Sequence, residues 1–265
     1  MAERITLRSL RRMYERGEKW ACLTAYAAPT ATLLDPFADL LLVGDSVGTA
    51  LYGYDSTLRV TLEMMVAHGE AVARTAKRAF VAVDLPFGTY QRDKYAAYDA
   101  AAKIMRETGC GAVKMEGGAY LADTVAFVAE RGIPVIGHIG MQPQHKNSYG
   151  GFFCQGRDES SASAIIEDAQ AIESAGAFAY VVEAVPEALA RKICDAARVP
   201  VIGIGASPAC DGQILVTEDM IGAERRPAAK FVRRYADVAS TLSAAAERYV
   251  ADVKSGAFPA KEETY

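Results

Sequence analysis

The sequence has no apolar run near the ~20 residues that a membrane-spanning helix needs. Its first twenty residues, MAERITLRSLRRMYERGEKW, carry basic side chains but neither an apolar core nor a small-residue cleavage site, so no secretory leader is expected. The five cysteines, at 22, 110, 154, 194 and 210, are odd in number and include no C-x-x-C pair. That argues against a disulfide framework or a structural zinc site and for free thiols in a reducing cytoplasm. There is no excess of positive charge. A net charge of −4 offers nothing to nucleic acid and no polybasic patch to a membrane. No Pro/Ser-rich linker or shift in composition marks a boundary, so residues 1–265 read as one domain. At 51% hydrophobic and 23% charged, the chain can fill a large core.

What is present is a repeated theme. Short apolar runs end in glycine or a polar residue, and a helical pattern follows. The runs are 21–26, 39–45, 79–86, 111–118, 133–140, 178–186 and 199–207, with a weaker one at 212–216. Helical patterns occupy 61–76, 99–109, 121–132 and 162–176, and several stop at glycine. The N-terminal stretch reads as an amphipathic helix with Leu7, Leu10 and Met13 on one face. Apolar strands alternating with amphipathic helices predict a parallel sheet covered by helices. Seven or eight such units predict a (β/α)8 TIM-type barrel with an N-terminal helix. A doubly wound open sheet is the alternative, but no G-x-G-x-x-G follows the first strand. The polar segment 141–161 follows a strand and is a candidate active-site loop or lid.

In a parallel barrel the site lies at the C-terminal ends of the strands. Polar residues stand there within apolar runs: Asp45 and Ser46, Asp84, Lys114 and Glu116, His138, and Glu183. Each alone also reads as a turn residue, a helix cap, half of an ion pair or a core histidine. Together they point into one mouth. Three converging carboxylates, Asp45, Asp84 and Glu116, repel one another unless a hard divalent cation neutralises them, and all-oxygen ligation favours Mg2+. No Cys/His spacing of a catalytic zinc trio is present. Lys114 and His138 would serve an anionic substrate or a developing oxyanion, and Glu183 is left as general base. The chemistry this suggests is proton abstraction beside a carbonyl, through an enolate.

The stretches "LLVGDSVG", "GYDSTLRVTLEMM", "VAVDLPFGTY", "AVKMEGG", "IPVIGHIGMQPQ", "GGFFCQGR", "VIGIGAS" and "CDGQILVTEDMIG", with the tail "VKSGAFPAKEETY", resemble the ketopantoate hydroxymethyltransferase family of the phosphoenolpyruvate/pyruvate barrel superfamily. The resemblance runs from about residue 5 to 265. It implies transfer of a one-carbon unit from 5,10-methylenetetrahydrofolate to 3-methyl-2-oxobutanoate, giving 2-dehydropantoate on the route to pantothenate and coenzyme A. It also implies one Mg2+ per subunit, a cytoplasmic location and a homodecamer. Under the resemblance, the metal ligands are Asp45, Asp84 and Glu116. The substrate contacts are Asp45, Ser46, Asp84, Lys114 and His138, and the base is Glu183. A carbon–carbon lyase or mutase of the same superfamily is the alternative activity, and a non-catalytic paralogue the alternative class.

The chain departs from the family pattern in three places. Ala27 follows Tyr26 where the family usually has Asp, and Phe153 and Cys154 stand where Lys–Val is more usual. Ala184 occupies a position where Cys is common.

Overall fold

The computed structural model describes residues 3–224 and 228–265, so residues 1, 2 and 225–227 of the expected single domain lie outside the described residues. The described residues form two compact units, one ending at Val216 and one beginning at Thr217.

The first unit is a closed barrel of eight parallel strands: β1 (Trp20–Thr24), β2 (Leu40–Val43), β3 (Phe80–Asp84), β4 (Ala112–Glu116), β5 (Val135–Gly140), β6 (Ala179–Glu183), β7 (Val201–Ile204) and β8 (Gly212–Leu215). Closure comes from β1 pairing with β8, with Cys22 opposite Ile214. The weakest run in the sequence, at 212–216, is thus the strand that completes the ring.

Strand periodicity sorts the side chains. Leu40, Leu42, Phe80, Ala82, Ala112, Ile136, Ala179, Val181, Ile202 and Ile214 belong to one buried cluster, the barrel interior. Residues one position away, such as Leu41, Val43, Val81, Val83, Val113, Val135, Tyr180 and Val182, belong to a second cluster with the surrounding helices. Because both faces are apolar, the strands read as continuous hydrophobic runs rather than as alternation.

Ile5 and Leu10 join the interior cluster with Trp20, and the Ile5 amide donates to Arg78 O at 2.7 Å just before β3. The helix Leu7–Glu15 therefore stoppers the N-terminal end of the barrel. It starts in a capping box in which Thr6 and Ser9 bond reciprocally. Of its expected apolar face, Leu10 is buried and Met13 partly so, while Leu7 remains exposed.

Helices follow β1 to β6, among them Ala28–Leu34, Leu62–Thr75, Lys94–Thr108, Ala122–Ala129, Glu159–Ser174 and Glu187–Ala196. No helix separates β7 from β8. The connecting residues 205–211 contain Pro208 and start at Gly205 with φ +61°, too short and too turn-rich for a helix and a return. Lys19 Nζ satisfies two carbonyls of this connection, donating to Ala209 O at 2.9 Å and Cys210 O at 2.6 Å. In the second unit, the helix Val238–Ser255 begins where Asp237 accepts from the Ser240 amide and ends at Gly256. None of its residues is buried.

Candidate active site

The face that is apolar deep in the barrel turns charged at its C-terminal end. Asp84 continues the face of Phe80 and Ala82. Lys114 and Glu116 continue that of Ala112, His138 that of Ile136, and Glu183 that of Ala179 and Val181. Register places Asp84 beside Lys114 and Glu116 beside His138. Asp45 follows β2 directly. Asp45, Asp84, Lys114, Glu116 and His138 are all buried. The Glu183 side chain is more open, at 18% exposure.

Their contacts form one network. The Asp45 amide donates to Asp84 Oδ2 at 3.0 Å. Lys114 Nζ lies 3.0 Å from Asp84 Oδ1 and 3.9 Å from Glu116 Oε1. His138 stands between two carboxylates, with Nδ1 3.5 Å from Glu116 Oε1 and Nε2 3.2 Å from Glu183 Oε2. Neither Asp45 nor Ser46 caps the short helix Val47–Ala50, which has no side-chain cap bond. Instead Ser46 Oγ lies 2.7 Å from the Tyr26 hydroxyl. Both residues lie in the turn closed by the Val47 amide on Gly44 O, but neither side chain acts as a helix cap.

Burial sets the proton balance. Asp45 is pushed up to about 8, first by desolvation and then by the Glu116 and Asp84 charges. Desolvation also raises Asp84, although Lys114 opposes it. Burial alone would discharge Lys114, but Asp84, Glu116 and Asp45 outweigh it and hold the ammonium charged. Burial and the Lys114 charge work against protonation of His138. Bonds to Glu116 and Glu183 win, raising it to about 9. Burial disfavours the Glu116 carboxylate too, yet its bonds to His138 and the neighbouring cations bring its pKa below the ordinary value.

The backbone around Glu183 is held in an uncommon shape. Ala184 has φ +45°, a left-handed conformation that costs a residue with a Cβ about 1–2 kcal/mol. It is pinned on both sides: its amide donates to Ile204 O and its carbonyl accepts from the Gln155 amide, each at 2.9 Å. Opposite it, Gly140 has φ +84°, and a Cβ there would meet Glu183 O at 2.5 Å.

A divalent cation fits the donor set. Asp84 Oδ1 and Glu116 Oε1 are buried with only ion-pair contacts to Lys114 and His138, and the three carboxylates are buried together. Among the described residues no three His, Cys, Asp or Glu side chains already stand as a ready ligand cage. The carboxylates turn instead toward Lys114 and Gln144.

Three contributors were not singled out by the sequence. Tyr26 holds Ser46, and Tyr90 and Gln144 hold Asp45 and Glu116. Gln144 comes from the segment expected to be a loop or lid, which is a 3-10 turn at Pro143–His145, a short helix at Lys146–Tyr149 and irregular chain up to Asp158.

The family model described as ketopantoate hydroxymethyltransferase matches residues 4–261. A 3-methyl-2-oxobutanoate hydroxymethyltransferase of Bordetella petrii is 53% identical over 93% of this chain and 90% of its own length. That of Maricaulis maris is 52% identical over 100% of this chain and 94% of its own. Among solved structures, a 2,3-dimethylmalate lyase of the PEP mutase/isocitrate lyase superfamily overlays with a TM-score of 0.62 at 17% identity, over 97% of this chain and 91% of its own. A phosphonopyruvate hydrolase in complex with oxalate and Mg2+ also gives 0.62, at 13% identity over 97% and 93%. These overlays concern the fold alone. With a family match across nearly the whole sequence and relatives identical at every second position, the chain belongs to the ketopantoate hydroxymethyltransferase family.

Proposed function

We infer that the protein transfers a hydroxymethyl group to 3-methyl-2-oxobutanoate, with 5,10-methylenetetrahydrofolate as donor, and forms 2-dehydropantoate. The observation that supports this most is the convergence of Asp45, Asp84, Lys114, Glu116, His138 and Glu183 on one barrel mouth, in a chain of this family. Asp45, Asp84 and Glu116 would hold Mg2+, which when bound offsets the charge that enolisation places on the keto oxygen of the substrate. Lys114, held charged, pairs with the substrate carboxylate and fixes its orientation. Glu183 removes the proton from the branched carbon, and that carbon bonds to the one-carbon unit, whose two bonds to folate nitrogens break and whose hydroxyl oxygen comes from water; tetrahydrofolate leaves with the substrate's proton and one from water on those nitrogens. His138, 3.2 Å from Glu183, orients the base. Exposed apolar side chains such as Leu33 and Phe37, at 72% and 76%, support assembly as a homo-oligomer, which the family resemblance makes a decamer in the cytoplasm.

The test is proton exchange at the branched carbon of 3-methyl-2-oxobutanoate in D2O with Mg2+, followed by NMR without folate and with an EDTA control. Fast, EDTA-sensitive exchange is expected. Glu183→Gln is expected to slow it by about 10²–10⁴, the range for a positioned base. Exchange no faster than the control would overturn the enolisation chemistry, and an unchanged Glu183→Gln rate would remove Glu183 as the base.

A further inference from the structure

Tyr90 and Gln144 are buried, uncharged and absent from the chemistry above, yet Gln144 holds two of the three carboxylates and Tyr90 holds Gln144 and the Glu116 backbone. Gln144 Nε2 donates to Asp45 Oδ2 and to Leu85 O, each at 2.9 Å. The Gln144 backbone amide donates to Glu116 Oε2 at 2.9 Å. Gln144 Oε1 accepts from the Tyr90 hydroxyl at 2.7 Å and from Gln91 Nε2 at 2.8 Å. The Tyr90 oxygen in turn accepts the Glu116 amide at 2.9 Å. We propose that Tyr90 and Gln144 are positioning residues, a neutral clamp from the loops after β3 and β5 that presets Asp45 and Glu116 to receive a divalent cation.

The hydrogen-bond inventory fixes how the clamp is set. Leu85 O only accepts, so the amide nitrogen of Gln144 must face it and the adjacent Asp45 Oδ2. Gln91 Nε2 only donates, so the amide oxygen must face it. A flipped amide would set oxygen against the Leu85 carbonyl and nitrogen against the Gln91 donor. One oxygen of Asp45 is thereby occupied and its other is left for a ligand. Glu116 is held through Oε2, while Oε1 faces only the side chains of His138 at 3.5 Å and Lys114 at 3.9 Å. The clamp brings no charge of its own into a pocket that already holds three carboxylates. Ordering a ligand in advance lowers the cost of binding, and partners one bond removed from a metal commonly carry 10–100-fold in its affinity. Asp84 does not touch the clamp; the Asp45 amide and Lys114 fix it, so its role is separable.

The proposal rests on the reading of Asp45, Asp84 and Glu116 as cation ligands, and the experiment separates the two. The probe is Mn2+, titrated into substrate-free protein and followed by electron paramagnetic resonance of the free ion. Tyr90→Phe removes one oxygen and keeps the ring. Gln144→Met keeps the length and removes the amide. Thermal melts confirm that each variant is folded. The expected result is an Mn2+ dissociation constant raised by about 10–100-fold in both variants. In turnover assays, most of kcat should return at saturating Mg2+, with the Mg2+ requirement shifted upward. A merely structural defect would instead lower kcat at every metal concentration. Wild-type affinity in folded Tyr90→Phe and Gln144→Met, with binding lost in Asp84→Asn, overturns the clamp and leaves the ligand reading standing. Absence of Mn2+ binding in the wild type, or wild-type binding by Asp84→Asn, overturns the ligand reading and the clamp with it.

Discussion

At Ala27 the structure shows what the departure from the family pattern removes. The residue is the N-cap of the helix Ala28–Leu34, in extended backbone with φ −142° and ψ 153°, and no side chain caps that helix. An aspartate there would accept a first-turn amide and place its charge at the positive end of the helix. The neighbouring contact to the site, Tyr26 to Ser46, does not depend on it. Ala27→Asp should therefore stabilise the fold by about 0.5–2 kcal/mol, or about 2–4 °C in melting temperature per kcal/mol, with kcat changed little. A tenfold change in kcat without a change in the melt would show that this position acts on the reaction instead. The contrast explains which residues the sequence makes visible. A carboxylate, ammonium or imidazole inside an apolar strand is expensive, so Asp84, Lys114, Glu116 and His138 stand out without any fold in hand. Tyr90 and Gln144 are a phenol and an amide in polar loops, and only the folded contacts distinguish them from any other loop residue.

Strand parity is what turns a list of polar residues into a site. The two-residue period that puts Phe80 and Ala82 inside also puts Asp84 inside, and the same step holds from Ala112 through Lys114 to Glu116. This much was readable from the runs themselves. The bare β7–β8 connection was not singled out there, although the runs 199–207 and 212–216 leave only residues 208–211 between them, too few for a helix. Nor was the junction of β5 and β6, where two backbones meet too closely for a side chain. At Gly140, φ is +84° and an added Cβ would lie 2.5 Å from Glu183 O and 2.8 Å from Val185 Cγ1. Gly140→Ala should displace the end of β6 and with it Glu183, the proposed base, slowing proton exchange at least about tenfold while costing about 1–2 kcal/mol of stability from the left-handed backbone. Calorimetry and the D2O exchange assay read the two effects separately. Full exchange activity in a destabilised protein would show that the placement of Glu183 tolerates the shift.

For the whole molecule the consequence of burying this network is a stability tied to pH and, through the proposed cation, to metal. Without a cation, protons do part of the neutralising: Asp45 keeps one up to about 8 and His138 up to about 9. Both folded values lie above the unfolded ones, ~3.9 for Asp and ~6.5 for His. Between those limits the folded state binds more protons than the unfolded, so stability falls as pH rises. The Asp45 contribution is present below about pH 4 and is lost toward about 8, and that of His138 is present below about 6.5 and is lost toward about 9. A cation held by Asp45, Asp84 and Glu116 requires the Asp45 proton to leave, so its affinity rises with pH by up to tenfold per unit for each proton released. Ligand binding stabilises in proportion to the logarithm of that affinity. Calorimetric melts at about pH 6, 7 and 8, with EDTA and with millimolar Mg2+, should therefore diverge. The EDTA series declines as pH rises, and the gain from Mg2+ grows by up to about 1.4 kcal/mol per pH unit for each proton displaced. Added Mg2+ should also release protons into a weakly buffered solution at pH 7. A Mg2+ gain that is the same at all three pH values, with no proton release, would mean that the cation does not bind in place of the Asp45 proton.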